Sequence, residues 1–167
     1  MVILGINILS DSKCEILWGK ISDIYGFKNY SYKDIFPNNN ISFKVYSLNN
    51  INIMNFSYNA DGTASTEYKY NGNKLKNLFT SYFNKGMYVL DWEHECYEIN
   101  SYYTFPVLDD ESSGIWKPSF LPEADTAFFL SKELTEGWIA DFNNSSIIVV
   151  GEIFIGHVAS LNFDFLS

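Results

Sequence analysis

Short apolar runs, each closed by polar residues or glycine, constrain this chain more than any other feature. Residues 127–130 (AFFL) and 147–150 (IIVV) are two such runs, and their length and boundaries fit buried strands. Two other stretches carry apolar residues at helical spacing. In the first, Ser12 and Glu15 form a capping-box pattern, Cys14, Leu17, Trp18, Ile21, Ile24 and Tyr25 recur every three or four residues, and Gly26 offers a stop. Trp18 is expected in the core. In the second, Leu75, Leu78, Phe79, Tyr82 and Phe83 repeat the spacing ahead of Gly86.

Residues 2–9 have the β-branched and apolar content of a strand. Ile41, Phe43 and Val45 alternate with Ser42, Lys44 and Tyr46, which predicts a half-buried strand, and Asn49-Asn50 separates it from a second strand candidate at 51–58. That pair reads as a β-hairpin. Residues 153–155 and 161–165 are further strand candidates, while 36–40, 59–63 and 108–122 read as turns and loops. No repeat or linker divides the chain. The expected architecture is α+β, a mostly antiparallel sheet with about two main helices packed on it, as a single domain over residues 1–167.

At 167 residues, 47% hydrophobic and 18% aromatic, the chain can bury a sizeable core, which excludes intrinsic disorder for most of it. All 11 basic residues are Lys against 20 Asp and Glu, a formal charge of -9. A nucleic-acid binder would show a basic, Arg-rich stripe, so no nucleic-acid partner is expected. No apolar run approaches the roughly 18 to 20 residues of a membrane span, and 2–9 has no basic residue before it; a soluble, cytoplasmic protein without a membrane partner is expected. Cys14 and Cys96 lie far apart and read as two buried thiols, in keeping with a reducing compartment.

The charge is unevenly distributed. Residues 1–90 hold six acids and nine Lys, summing to +3, whereas 91–167 hold fourteen acids and only Lys117 and Lys132, summing to -12. Such a field repels acidic ligands and accelerates encounter with a basic partner.

The densest cluster of functional groups is Asp91-Trp92-Glu93-His94-Glu95-Cys96-Tyr97-Glu98. As one strand it places Trp92, His94, Cys96 and Glu98 on one face and Asp91, Glu93, Glu95 and Tyr97 on the other. His94 and Cys96 could ligate zinc, but the third and fourth ligands are missing locally, and the second histidine of a zincin helix is absent. The other reading buries Trp92 and Cys96 and leaves Asp91, Glu93 and Glu95 as an acidic ladder for the Lys or Arg of a partner. With two histidines, no Arg, isolated glycines and no nucleophile elbow, no catalytic residue, metal or cofactor is expected. Around the 108–125 loop, Asp109, Asp110, Glu111, Glu123 and Asp125 surround Trp116, Phe120 and Leu121. Aromatic anchors inside a charged rim are the anatomy of a protein contact; the competing reading folds Trp116 and Phe120 back onto the core.

Residues 88–97 (YVLDWEHECY) and the stretch 122–152, through Phe128-Phe129-Leu130-Ser131-Lys132 to Ile148-Val149-Val150-Gly151-Glu152, resemble an uncharacterised bacterial family with an LDW-x-HECY strand and a terminal VFGE-like strand. The resemblance covers the second half and implies that DWEHECY is a structural core strand. The chain departs where that family has a Gly-His-Pro-Trp turn, since 137–142 read GWIADF, which argues against a histidine site there. In profile the chain also resembles immunity proteins of bacterial toxin systems, particularly those of contact-dependent growth inhibition. That resemblance implies a cytoplasmic protein that binds a cognate toxin domain, frequently a basic RNase or DNase.

The expected function is therefore toxin neutralisation by occlusion, with Asp109, Asp110, Glu111, Trp116, Glu123, Asp125, Glu93 and Glu95 as the contact residues. The alternative is a metal- or carboxylate-dependent hydrolase using His94, Cys96 and nearby acids.

Overall fold

A computed structural model describes residues 5–27, 35–38, 40–93, 95–100, 118–123 and 125–166. The elements, in chain order, are β1 (Ile6–Ile8), α1 (Asp11–Tyr25), β2 (Phe43–Ser47), α2 (Ile53–Ser57), α3 (Thr66–Tyr82), β3 (Met87–Asp91), β4 (Cys96–Ile99), β5 (Ala127–Ser131), β6 (Gly137–Asp141), β7 (Ser146–Val150) and α4 (Glu152–Ser160), followed by a 3-10 turn at Asp164–Leu166. The strands form one sheet in the order β1-β4-β3-β5-β6-β7-β2, and every neighbouring pair is antiparallel. The α+β class expected from the sequence is the class observed.

Helices cover both faces, which explains why β5, β6 and β7 are buried at every position and read as continuous apolar runs. On one face α1 packs Leu17, Ile21 and Tyr25 against Leu90, Phe128, Ile139 and Ile148. On the other, α3 and α4 bring Leu75, Phe79, Phe154 and Val158 onto Val89, Phe129, Trp138 and Val149. Phe79 stacks between Phe129 and Phe154, with centroids at 5.7 and 6.2 Å. Each such side chain contributes on the order of 1.5–3 kcal/mol by leaving water.

Both long helices start on a serine cap. The Ser10 hydroxyl accepts from Lys13 N–H at 3.4 Å, so α1 is capped two residues earlier than the Ser12/Glu15 pattern suggests, and Gly26 ends it in the left-handed conformation. Ser65 accepts from Tyr68 N–H at 3.0 Å and starts α3 well before Leu75. Trp18 is half-buried, edge-on to Trp92 and Phe128 at the rim of the core.

Five expectations are corrected. Residues 161–165 form no strand: Leu161 caps the end of α4 and Asp164–Leu166 is a 3-10 turn. Residues 51–58 do not form a strand. The Asn52 side chain accepts from Asn55 N–H at 3.1 Å and caps the short helix α2, whose Ile53 and Phe56 pack on the core three residues apart. The partner of β2 is instead β7, in register from Phe43↔Val150 to Ser47↔Ser146. Residues 153–155 belong to α4, where Phe154 and Val158 are buried four residues apart while Ile153 is 68% exposed. Residues 91–98 are not one strand, because the chain reverses between β3 and β4 and pairs Leu90 with Cys96.

Candidate functional site

The reversal between β3 and β4 begins at a side chain. The Asp91 carboxylate, 1% exposed, accepts from the Glu93 N–H at 3.1 Å, an Asx turn that bends the backbone two residues on. The alternation expected for 91–98 is thereby broken, and Glu93 and Glu95 project from a tight turn at the end of the sheet, both exposed. The same Glu93 N–H also reaches Asp125 Oδ2 at 3.1 Å, so one donor holds two carboxylates from segments far apart in sequence.

The adjoining backbone locks this meeting in place. Asp91 pairs with Ala127 at the start of β5, Trp92 N–H points to the Thr126 carbonyl at 3.5 Å, and the Thr126 hydroxyl accepts from Phe142 N–H at 3.2 Å. Asp141 is buried beside it, its Oδ2 accepting from the Asn144 amide at 2.8 Å. Asp91, Glu93, Glu95, Asp125 and Asp141 therefore share one end of the sheet. No ion pair engages Glu93 or Glu95 among the described residues.

Two contacts tie this end to α1. Trp92 lies edge-on to Trp18 at 4.8 Å and near Phe27 at 6.1 Å, and Cys96, at the first position of β4, is disulfide-bonded to Cys14, with Cα atoms 5.7 Å apart. The expectation of two buried thiols is corrected: the sheet brings residues 82 apart in sequence to bridging distance, which no local spacing announces. With its sulfur in that bond, Cys96 supplies neither nucleophile nor metal ligand, and the cysteine count no longer argues for a reducing compartment.

At the opposite end of the sheet the acids meet an ammonium and a phenol. Lys132 Nζ lies 2.7 Å from Glu98 Oε2, and this hydrogen bond, outweighing the carboxyl's desolvation, holds Glu98 below its ordinary pKa. The Tyr82 hydroxyl donates to Glu136, and desolvation together with that carboxylate raises the phenol to about 12. No group of three or more His, Cys, Asp or Glu among the described residues could hold a metal ion.

Of the residues expected at a binding surface, Glu93, Glu95 and Asp125 are brought together, whereas Glu123 is half-buried with its Oε1 shielded from solvent. Asp109, Asp110, Glu111 and Trp116 lie outside the described residues, as does His94. Phe120 and Leu121 are core residues: Phe120 is 0% exposed, packs on Tyr68 at 4.7 Å, and its carbonyl accepts from Trp138 Nε1 at 2.7 Å. Asp91, expected in the exposed ladder, is buried instead, and its organising role has a local signal, an Asp two residues before the turn's Glu.

No helix among the described residues is long and apolar enough to cross a membrane. A family model described as a protein of unknown function, DUF2716, matches residues 8–155. No curated protein and no solved structure matches the chain.

Proposed function

The chain belongs to the DUF2716 family, and from the acidic end that its fold assembles we propose that it is a binding protein that neutralises a basic partner, not a catalyst. The observation that carries this reading is the Glu93 N–H shared by Asp91 and Asp125, which gathers carboxylates onto one rigid rim while Glu93 and Glu95 stay exposed. Gathering like charges opposes folding stability. A protein keeps such an arrangement where a cationic surface is to be met, and these carboxylates would replace the phosphates that a nuclease cleft binds.

The partner in this reading is a cognate toxin domain, a basic RNase or DNase, occluded as an immunity protein occludes its toxin. Glu93, Glu95 and Asp125 form the described part of the contact, with Asp109, Asp110, Glu111 and Trp116 as its continuation. The disulfide and the Trp18–Trp92 contact support it by fixing the acidic turn before binding, which lowers the ordering cost of association. Co-purification with the product of the gene immediately upstream, at low and at high salt, tests the proposal. A one-to-one complex that salt weakens is expected; absence of a complex at both salt concentrations contradicts the reading.

A further inference from the structure

The sequence pattern of β2 predicts Phe43 and Val45 on its buried face, yet they are 42% and 51% exposed. The sheet register explains the inversion. Lys44 and Tyr46 pair with Val149 and Ile147, on the face that α3 and α4 cover, whereas Phe43 and Val45 pair with Val150 and Ile148 on the α1 face, at a sheet margin beyond α1's buried contacts. Among the described residues β2 is the last strand of the sheet, so its outer edge carries backbone polar groups as well as these two side chains.

Which groups those are follows from the ladder. Gly151 N–H donates to the Ser42 carbonyl and Leu48 N–H to the Ser145 carbonyl, so by antiparallel alternation Lys44 and Tyr46 turn their N–H and C=O toward β7. Phe43, Val45 and Ser47 turn theirs outward. The opposite edge, β1, is only three residues long, a length that discourages pairing. By contrast β2 runs five residues in unbroken register with β7, without proline or bulge, and among the described residues no device blunts this edge beyond the single Lys44.

We propose that β2 is the seam of a symmetric dimer, in which the edges of two copies pair antiparallel about Val45. In that register Val45 lies opposite the partner's Val45, Phe43 opposite the partner's Ser47, and Lys44 opposite the partner's Tyr46. All three outward-facing residues find backbone partners, and the four exposed apolar side chains, Phe43 and Val45 of each copy, form one cluster across the two-fold axis. The charge fits the same register, because the only charged residue of the strand meets an aromatic ring and not its own copy. Lys44 already lies 4.8 Å from the ring centroid of its own Tyr46. Other registers leave outward groups unmatched or bring the two lysines toward each other. The two seven-stranded sheets become one, and the acidic end, at the β3–β4 turn four strands away, stays open. A seam this small makes a reversible dimer.

Analytical ultracentrifugation of the full chain over a concentration series tests this, beside Val45→Lys and Val45→Cys variants. The native chain is expected to shift from 19.2 kDa to twice that mass as concentration rises, and Val45→Lys to stay at the single mass with an unchanged circular dichroism spectrum. A native chain monomeric at every concentration overturns the proposal, and so does a Val45→Lys variant that dimerises like the native chain. If Val45→Lys fails to fold, Val45→Cys decides: a covalent dimer on mild oxidation is expected, and either its absence or equal cross-linking by an Ile153→Cys control on exposed α4 overturns the seam.

Discussion

Cys14 in the first turn of α1 and Cys96 at the start of β4 are joined across 82 residues of chain, so the helix on one face of the sheet is covalently fixed to the strand beside the acidic turn. Chain-entropy arguments give a loop of that length a stabilisation of about 4 kcal/mol. Cys14→Ala, or reduction of the native chain, is therefore expected to lower the denaturant midpoint markedly in equilibrium unfolding. A midpoint that reductant leaves unchanged contradicts a structural role for the bond.

The Tyr82–Glu136 contact makes a pH prediction. Tyr82 has its pKa raised from 10.0 to about 12 by desolvation and by Glu136, so the folded chain holds this proton more tightly than the unfolded one. A raised folded pKa means that the contribution is fully present below pH 10.0 and is lost as pH rises toward about 12. Tyr82→Phe should flatten that part of the stability-versus-pH curve, measured by chemical denaturation. An unaltered alkaline slope in the variant contradicts the assignment.

Two glycines with left-handed or related backbone separate conformational strain from collision. Gly26 (φ 69°) has nothing within 4 Å of a Cβ, whereas at Gly137 (φ 145°) a Cβ would lie 2.0 Å from the Phe129 carbonyl oxygen. Gly26→Ala is expected to cost about 1 kcal/mol, the usual left-handed penalty. Gly137→Ala should cost at least about 3 kcal/mol, because backbone in the centre of the sheet must move. Equal costs in thermal or chemical unfolding contradict the β5–β6 packing described above.

The sequence made legible what local physics decides. The runs at 127–130 and 147–150 declared β5 and β7 because both of their faces are covered, and α1 and α3 declared themselves by spacing. At 51–58 the apolar content suits a strand, yet Ile53 and Phe56 lie three apart, and the Asn52 cap resolves the ambiguity toward a helix. At 91–98 the alternation was real, but the Asx turn at Asp91 interrupts it. The face of β2 was inverted because alternation reveals that two faces differ without saying which one the fold covers. The acidic surplus of the second half was likewise plain, whereas the convergence of Glu93 with Asp125, 32 residues apart, and of Cys14 with Cys96 exists only once the sheet has formed.

The central claim, that the acidic end meets a basic toxin domain, is tested most directly by the association rate between that domain and a Glu93→Lys/Glu95→Lys variant. Both side chains are exposed, so the fold should be unaffected. The account predicts association slowed by about tenfold or more at low salt, with a weaker salt dependence than the native chain. An association rate equal to that of the native chain at every salt concentration would contradict it.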